Sequence, residues 1–429
     1  MYKINLNYLY FFTLAFITIV LRLYNINYDD FWIDEILSFY IADPSIPINE
    51  FYERHKTLEN SPFLFNFILR TYFKIAGYDV AFARYFPASL NILAVFMLIY
   101  FYNKFLNGKS LILLFTLVAF NIYTIKYSQE LRLYSWYIFI YVINLIYFYK
   151  VIFPKKSISN LSYYIFFISS LLLILTHPFS LIIIMSYNVY ILIFYILKKH
   201  ISSVIFKILI LLNIFSFFFL IFFLLNTTHQ PIWIEDIDWK FFTNFFFSKF
   251  FGSRLVGGVY LAIFLYLIFK FLKNISLKPG LELFLLISIF FSYAIPILYS
   301  YLFKPAVVDR YLIYLVLSVI LLLVLLINKL KSDKQKYFFS SLLIICTLGN
   351  FTTESTFKQF YKERNIHKPD LKSVFEEINS STNLNVRLNL EETYLSKNKI
   401  HKAFENYLKN YKKIDNRKIV FFNYLESEK

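Results

Sequence analysis

The sequence predicts an all-α polytopic membrane protein with about eleven transmembrane helices. Hydrophobic residues make up 59% of the 429-residue chain and aromatic residues 22%. With a mean hydropathy of +0.56, the chain is too apolar for a soluble globular protein. The apolar residues form runs of about 20, the length that spans a bilayer. Lysines cluster between these runs as topology signals do, so the net charge of +17 does not indicate a nucleic-acid partner.

The predicted spans follow the apolar runs in chain order. The first is interpreted as a retained span and not as a signal peptide, because only Lys3 precedes it and no small-residue cleavage site follows it. A single cysteine, Cys346, excludes an intramolecular disulfide framework. The predicted spans lie within a transmembrane module of residues 1–349 and are residues 8–24, 84–104, 110–126, 134–153, 160–176, 178–197, 204–225, 255–273, 281–300, 310–328 and 337–349.

The stretch from Ser61 to Gly77 decides the predicted sidedness of the loops. It is short for a span and carries Arg70 and Lys74. If it does not cross, the lysine-rich loops all share one side, which the positive-inside rule places in the cytoplasm. We therefore predict juxtamembrane helices within an external loop of residues 25–83. The acidic loops that then lie outside carry Asp34, Glu35, Glu130, Glu235, Asp236, Asp238 and Asp309.

The composition changes beyond about Asn350 to a charged segment. Residues 370–378 have the pattern of a helix and residues 418–424 that of a strand. Residues 350–429 are therefore predicted to form a small extracytoplasmic α/β tail domain.

Two external loops carry candidate chemistry on carboxylates. Asp34 and Glu35 follow Trp32 at the predicted membrane surface, where partial desolvation suits a general base; the alternative is a solvated loop anchored by its aromatics. Glu130 and Arg132 share a short loop ahead of Tyr134 and could bind a hydroxyl and a phosphate. The alternative is an internal ion pair at a helix end.

Two further groups add cationic or polar candidates. Lys304 lies ahead of the tenth span, and Arg310 and Tyr311 begin it. An external arginine there runs against the positive-inside trend and indicates an anionic partner; the alternative is snorkelling to headgroups. His177 precedes Pro178 at a helix boundary, although a lone histidine is more often structural. The six histidines form no ligand cluster, so no metal is predicted.

The ordered series of loop motifs resembles the membrane glycosyltransferases that use polyprenyl-phosphate-linked sugars, including the protein O-mannosyltransferases and the aminoarabinose transferases of lipid A. In one departure, the usual His or Lys ahead of a double proline is absent, and Ser61 replaces the first proline. The matching segments are Trp32-Ile-Asp34-Glu35, Ser61-Pro62-Phe63-Leu64, Gly77 followed by Phe82-Ala83-Arg84, Ser128-Gln-Glu130-Leu-Arg132-Leu-Tyr134, Thr176-His177-Pro178-Phe179 and Asp309-Arg310-Tyr311-Leu312.

The resemblance implies an inverting transfer of a sugar from a polyprenyl-phosphate donor to an acceptor hydroxyl, on a glycan, lipid or protein, with no cofactor. It places the protein in a bacterial cytoplasmic membrane, among membrane lipids, with the active site outside. Asp34 would take the acceptor proton, and Glu35 and Glu130 would orient hydroxyls. The remaining substrate or phosphate contacts would come from Arg132, Tyr134, His177, Lys304, Arg310 and Tyr311.

Other classes of function remain open from the sequence. A secondary transporter or lipid flippase would place ionisable residues near the bilayer midplane, whereas the acids here gather in loops. A lipid-linked glycan ligase or polymerase and a noncatalytic scaffold are the remaining alternatives.

Overall fold

The computed structural model describes residues 6–27, 29–154, 159–197, 201–226, 234–273, 280–352 and 397–411. In these residues the only regular secondary structure is helical, and a 3₁₀ turn spans Asp309–Leu312. The helices are α1 (Leu6–Leu23), α2 (Ile33–Ile41), α3 (Ile48–Leu58), α4 (Leu64–Ala76), α5 (Val80–Ala83), α6 (Tyr85–Tyr102), α7 (Gly108–Ala119), α8 (Ile122–Ser128), α9 (Tyr134–Ile152), α10 (Asn160–Thr176), α11 (Ser180–Ile196), α12 (Ser203–Asn226), α13 (Trp239–Phe242), α14 (Phe247–Phe250), α15 (Arg254–Lys273), α16 (Leu281–Leu302), α17 (Tyr314–Asn328), α18 (Asp333–Gly349) and α19 (Lys397–Tyr411).

Each of the predicted apolar segments contains a helix. Five helical stretches are long and apolar enough to cross a membrane, and the bent pair of α7 and α8 makes a sixth. Shorter apolar helices, including α10, α11 and α17, lie among them. These helices indicate an integral membrane protein, while the count of eleven spans stays a prediction.

Two helices mark the centre and the periphery of the bundle. α17 is apolar on every side and buried along nearly its whole length. α12 is equally apolar but exposes Phe217, Phe218, Phe222 and Leu225. A helix that is apolar all round lies either in a protein core or against lipid. α17 is of the first kind, and α12 is suited to the second.

The stretch that decided the predicted sidedness forms α4, which has 13 residues. At ~1.5 Å per residue it is about 20 Å long, too short for a hydrocarbon layer of about 30 Å. Its buried face repeats with helical spacing at Phe65, Leu69 and Phe73. The residue that caps its C-terminal end is Gly77, which has φ of +96°. The prediction of a juxtamembrane helix at this position agrees with this geometry.

The predicted span 110–126 is bent by 52° between α7 and α8. Asn121 starts α8 by accepting a hydrogen bond from the backbone N–H of Thr124 at 2.9 Å. Arg22, which is 0% exposed, donates to the last carbonyls of α7, at Val118 and Ala119, over 3.3 and 3.1 Å. The bend is therefore held by satisfied backbone groups.

The loops between the long helices meet at two opposite ends of the bundle. At the end that we call the lysine end, Lys270 donates to Gln335 at 2.8 Å and Lys329 pairs with Glu282 at 2.8 Å. The end that we call the acidic end contains the segment before α2 and the loops 129–133, 177–179 and 309–313. These contacts agree with the predicted grouping of the loops, while Lys155, Lys156, Lys198, Lys199 and Lys278 lie outside the described residues.

The last described helix, α19, packs on α2 and α3 at the acidic end. The ring of Tyr407 stacks on Phe31 with centroids 5.7 Å apart, and the backbone N–H of Phe31 donates to the Tyr407 hydroxyl at 3.4 Å. This part of the tail therefore lies at the same end as Asp34. The helix predicted at residues 370–378 and the strand predicted at residues 418–424 lie outside the described residues.

Candidate functional site

Asp34 lies where three loops that are distant in the sequence meet. It occupies the first turn of α2, and its side chain is 24% exposed. Arg310 Nη1 lies 3.6 Å from Asp34 Oδ2, and Arg132 Nε lies 4.0 Å from the same oxygen. The structure thus brings together the predicted base and two predicted phosphate-binding arginines. In such an arrangement the carboxylate can accept a hydrogen bond from a hydroxyl while the two guanidinium groups bind a phosphate.

Glu35, the neighbour of Asp34, is 1% exposed and holds α2 in place. Its oxygens accept hydrogen bonds from Arg84 Nε at 2.8 Å, Arg84 Nη2 at 2.7 Å and the backbone N–H of Leu131 at 2.8 Å. The backbone N–H of Trp32 also donates to Glu35, at 3.4 Å, as in a capping box. Glu35 therefore joins α2 to the start of α6 and to loop 129–133. A direct part for it in catalysis stays a prediction.

Arg84 also organises the segment that precedes α2. Its Nη1 donates to the carbonyls of Ile26 and Asp29 at 3.0 and 2.7 Å, and its Nη2 donates to that of Asp30 at 3.1 Å. The side chain is buried. Because one guanidinium satisfies three carbonyls and a carboxylate, the backbone before α2 is fixed relative to α6.

Arg132 contacts Asp34 through one edge and a second carboxylate through the other. Its Nη1 lies 2.7 Å from Glu59 Oε2, and its Nη2 lies 3.4 Å from Glu59 Oε1. The same Nη1 donates to Ser38 Oγ at 2.9 Å and to the backbone carbonyl of Asp34 at 3.3 Å. Arg132 therefore connects loop 129–133 to α2 and to Glu59, the residue that follows α3.

Ionisable side chains of alternating sign extend across the acidic end. On the far side of Arg310, Lys249 on α14 lies 3.6 Å from Asp309 and is 60% exposed. This alternation leaves every cation beside at least one anion. The side chains, which we call the charged row, are Lys249, Asp309, Arg310, Asp34, Arg132 and Glu59.

The pKa shifts at one end of the charged row favour the charged forms. Burial raises the pKa of Glu59, but the charge and hydrogen bonds of Arg132 outweigh it, so the net pKa is lowered. Burial lowers the pKa of Arg132, but Glu59 and Asp34 raise it well above the ordinary value for arginine. Glu59 and Arg132 are therefore an ionised pair at neutral pH.

His177 is buried in an aromatic cluster beside the charged row. Its ring stacks on Tyr137 at 5.5 Å and contacts Tyr311 at 4.8 Å. Its Nδ1 accepts from the backbone N–H of Phe179 at 3.2 Å, which leaves the proton on Nε2. Burial lowers the pKa of His177 to about 3. His177 is thus neutral at pH 7 and can offer a phosphate a hydrogen bond but no charge.

For the remaining predicted site residues, the described contacts do not indicate how they would meet a substrate. Glu130 and Tyr134 are buried, and the ring of Tyr134 contacts that of Tyr127 at 4.8 Å. Lys304, after α16, makes no hydrogen bond or ion pair with the part of the chain that the structure describes. Substrate contacts by these three residues stay predictions.

A groove of about 670 Å³ opens beside Glu59. Its polar lining comes from Glu59, Asn60 and Ser61, together with His55 and Lys56 on α3. Its other wall is the C-terminal half of α12, where phenylalanines recur with helical spacing. We call it the Phe-lined groove, after Phe215, Phe218, Phe219, Phe222 and Phe223.

The sequence did not single out Glu59 or assign a role to Arg84. Glu59 follows the last residue of α3. A carboxylate is disfavoured near a helix C-terminus, which predicts a compensating cation nearby. The only charged residues in the predicted span 84–104 are Arg84 and Lys104, at its two ends. An arginine at the start of an apolar helix indicates an acidic partner.

No protein-family model matches the chain, and no curated protein sequence matches it. Among the residues that the structure describes, no group of three or more His, Cys, Asp and Glu side chains could hold a metal ion. The absence of such a group from the described residues does not test the prediction that the reaction needs no metal. The site geometry and the motif series together carry the functional inference.

Proposed function

We propose that the protein is an inverting glycosyltransferase that moves a sugar from a polyprenyl-phosphate donor to an acceptor hydroxyl at the outer face of a bacterial cytoplasmic membrane. One observation carries the proposal. Asp34 lies within 4.0 Å of guanidinium groups from two loops far away in the chain, Arg132 and Arg310. A base for the acceptor and two cations for a leaving phosphate are the groups that this reaction needs.

The Phe-lined groove supports a lipid-linked donor. Its α12 wall is apolar, and its other side ends at Glu59, which contacts Arg132. A prenyl chain along the phenylalanines would thus bring its phosphate toward the arginines of the charged row. A soluble nucleotide-sugar would not need an apolar wall of this length.

The proposed reaction is a single in-line displacement. Asp34 takes the proton of the acceptor hydroxyl, whose oxygen forms a bond to the anomeric carbon. The bond between that carbon and the phosphate oxygen breaks, and its electron pair leaves on the polyprenyl phosphate. Arg132 and Arg310 stabilise the added negative charge on the leaving group, and the opposed directions of attack and departure invert the anomeric carbon.

The proposed outer location rests on the distribution of lysines. The loops of the lysine end follow the positive-inside rule if that end faces the cytoplasm. The acidic end, with Asp34 and α19, would then face outward. In the described helices, the ionisable residues of the site lie at helix ends and in loops, which suits transfer at a surface better than transport through the midplane.

The test incubates the purified full chain in lipid nanodiscs with a panel of polyprenyl-phosphate sugars and hydroxyl acceptors. We expect one donor to be consumed, the product to have the inverted anomeric configuration by NMR, and Asp34→Asn to lower turnover by about 10² to 10⁴. Asp333→Asn, which changes an exposed acid at the lysine end, is the matched control and keeps full turnover. Undiminished transfer by Asp34→Asn contradicts the role of Asp34, and no transfer from any donor contradicts the proposed activity.

A further inference from the structure

We propose that Glu59 occupies, in the empty protein, the position on Arg132 that the phosphate of a prenyl lipid takes on binding, so that lipid binding exchanges one anion for another. This inference rests on the proposed lipid-phosphate substrate but concerns a residue with no part in the chemical step. Glu59 would set the affinity of the site for the lipid.

The geometry of the pair is that of phosphate recognition. The two oxygens of Glu59 face the two terminal nitrogens of Arg132, at 2.7 and 3.4 Å. A guanidinium presents the same fork to two phosphate oxygens. The Glu59 carboxylate therefore competes with a bound phosphate for the same two nitrogen donors of Arg132.

The position of Glu59 places it on the path from the groove to the arginine. Glu59 lines the Phe-lined groove, whereas Arg132 and Asp34 are not among its lining residues. A headgroup whose chain lies against α12 therefore meets Glu59 before it reaches Arg132.

The balance of charge favours an exchange over simultaneous binding. Arg132 and Arg310 carry two positive charges, and Asp34 and Glu59 carry two negative charges, so these four groups are neutral together. A phosphodiester adds one negative charge, and a monoester such as farnesyl phosphate adds up to two. Departure of Glu59 removes one negative charge, which restores neutrality for the diester, whereas its retention leaves that excess charge in a partly buried site.

Glu59 can leave without unfolding its helix. It lies one residue beyond α3, and apart from Arg132 its carboxylate accepts a bond from the backbone N–H of Ser61 at 3.3 Å. The C-terminal end of α3 does not favour a carboxylate. Glu35 is held differently, by a bidentate Arg84 and by the backbone of Leu131, so it is not free to exchange.

The test measures equilibrium binding of farnesyl phosphate to the purified full chain in detergent, with farnesol as the probe that lacks phosphate. Glu59→Gln removes the competing charge while keeping the shape, so we expect its Kd for farnesyl phosphate to fall by about tenfold. Affinity for farnesol should stay at the wild-type value. Glu53→Gln changes an exposed carboxylate on α3, the helix that Glu59 follows, and should leave both affinities unchanged.

A second variant keeps the test decisive if Glu59→Gln does not fold. Glu59→Asp retains the charge but shortens its reach by one methylene, so an intermediate gain in affinity is expected. Unchanged or weaker binding of farnesyl phosphate by the folded variants overturns the inference, as does an equal gain for farnesol. The binding assay needs no sugar transfer. A failure of the proposed activity therefore does not affect the binding result, and a failure of the binding prediction does not affect the activity assay.

Discussion

The acidic end and the lysine end of the bundle both carry ionisable side chains, but they hold their cations in different ways. The paired arginine side chains of the acidic end are 7% to 20% exposed. At the lysine end, Lys329 and Lys336 are 55% and 32% exposed, and each pairs with a single carboxylate.

The difference follows from what each cation can bond. Arg84 and Arg132 each contact a carboxylate together with carbonyl or hydroxyl oxygens, which the several donors of a guanidinium permit. A hydrated ammonium group on a long stem serves as a topology signal at a surface. Arginines buried at the end that lacks the lysine clusters therefore need another explanation, and a binding site for anions supplies it.

The largest expected effect comes from breaking the buried pair at the acidic end. Arg84→Met leaves Glu35 buried without a cation, and loss of one partner of such a pair costs about 3–5 kcal/mol. The comparison change at the lysine end, Lys336→Met, breaks an exposed pair with Asp333 and should cost at most about 1 kcal/mol. Thermal unfolding of both variants in one detergent measures the difference. Equal losses of stability would remove the distinction between the two ends.

A smaller effect is expected at Arg22, an arginine bound to neutral acceptors. In the wild-type protein Arg22 donates to the Asn91 amide oxygen at 2.6 Å and to two carbonyls of α7. Arg22→Met leaves these three acceptors without their donor. We expect a loss of about 2–3 kcal/mol in unfolding free energy. Gln129 bonds the end of α1 at Arg22, so the loop that carries Arg132 should shift and turnover should fall as well.

The control for Arg22→Met is Lys336→Met, which breaks an exposed pair three residues apart at the lysine end. Melting temperature and turnover are measured for both variants. If Arg22→Met melts with the wild-type protein, the buried arginine does not hold the bend between α7 and α8.

The separation into two ends could be predicted from sequence because hydropathy and lysine clustering are local properties. Asp34, Arg132 and Arg310 were assigned to one active site from the order of the motifs and not from any single motif. Glu59 was missed because its role arises from packing, its partner lying 73 residues away. Lys304 was predicted from its charge and from its place near the start of the tenth span, and its contact with substrate stays a prediction.

The bend in the span 110–126 illustrates the same limit. An apolar run predicts a helix, but it does not predict whether the helix continues. Asn121 was a local signal for a new helix start, while the arginine that satisfies the broken end comes from α1, 97 residues before Ala119. Such a contact has no signature within the run itself.

The smallest expected effect is on the pH dependence of stability, which should differ between the two ends. The two histidine side chains that the structure describes both lie at the acidic end. Burial lowers the pKa of His177 from 6.5 to about 3 and also lowers that of His55. Below about pH 6.5 the unfolded chain takes up a proton that folded His177 does not. The stability from this group is therefore complete above that pH and falls by up to ~1.4 kcal/mol per unit as the pH drops toward 3. His177→Phe, which keeps a ring against Tyr137, should unfold with a shallower acid dependence between pH 5 and 7.5, and parallel curves would show that His177 is not buried in its neutral form.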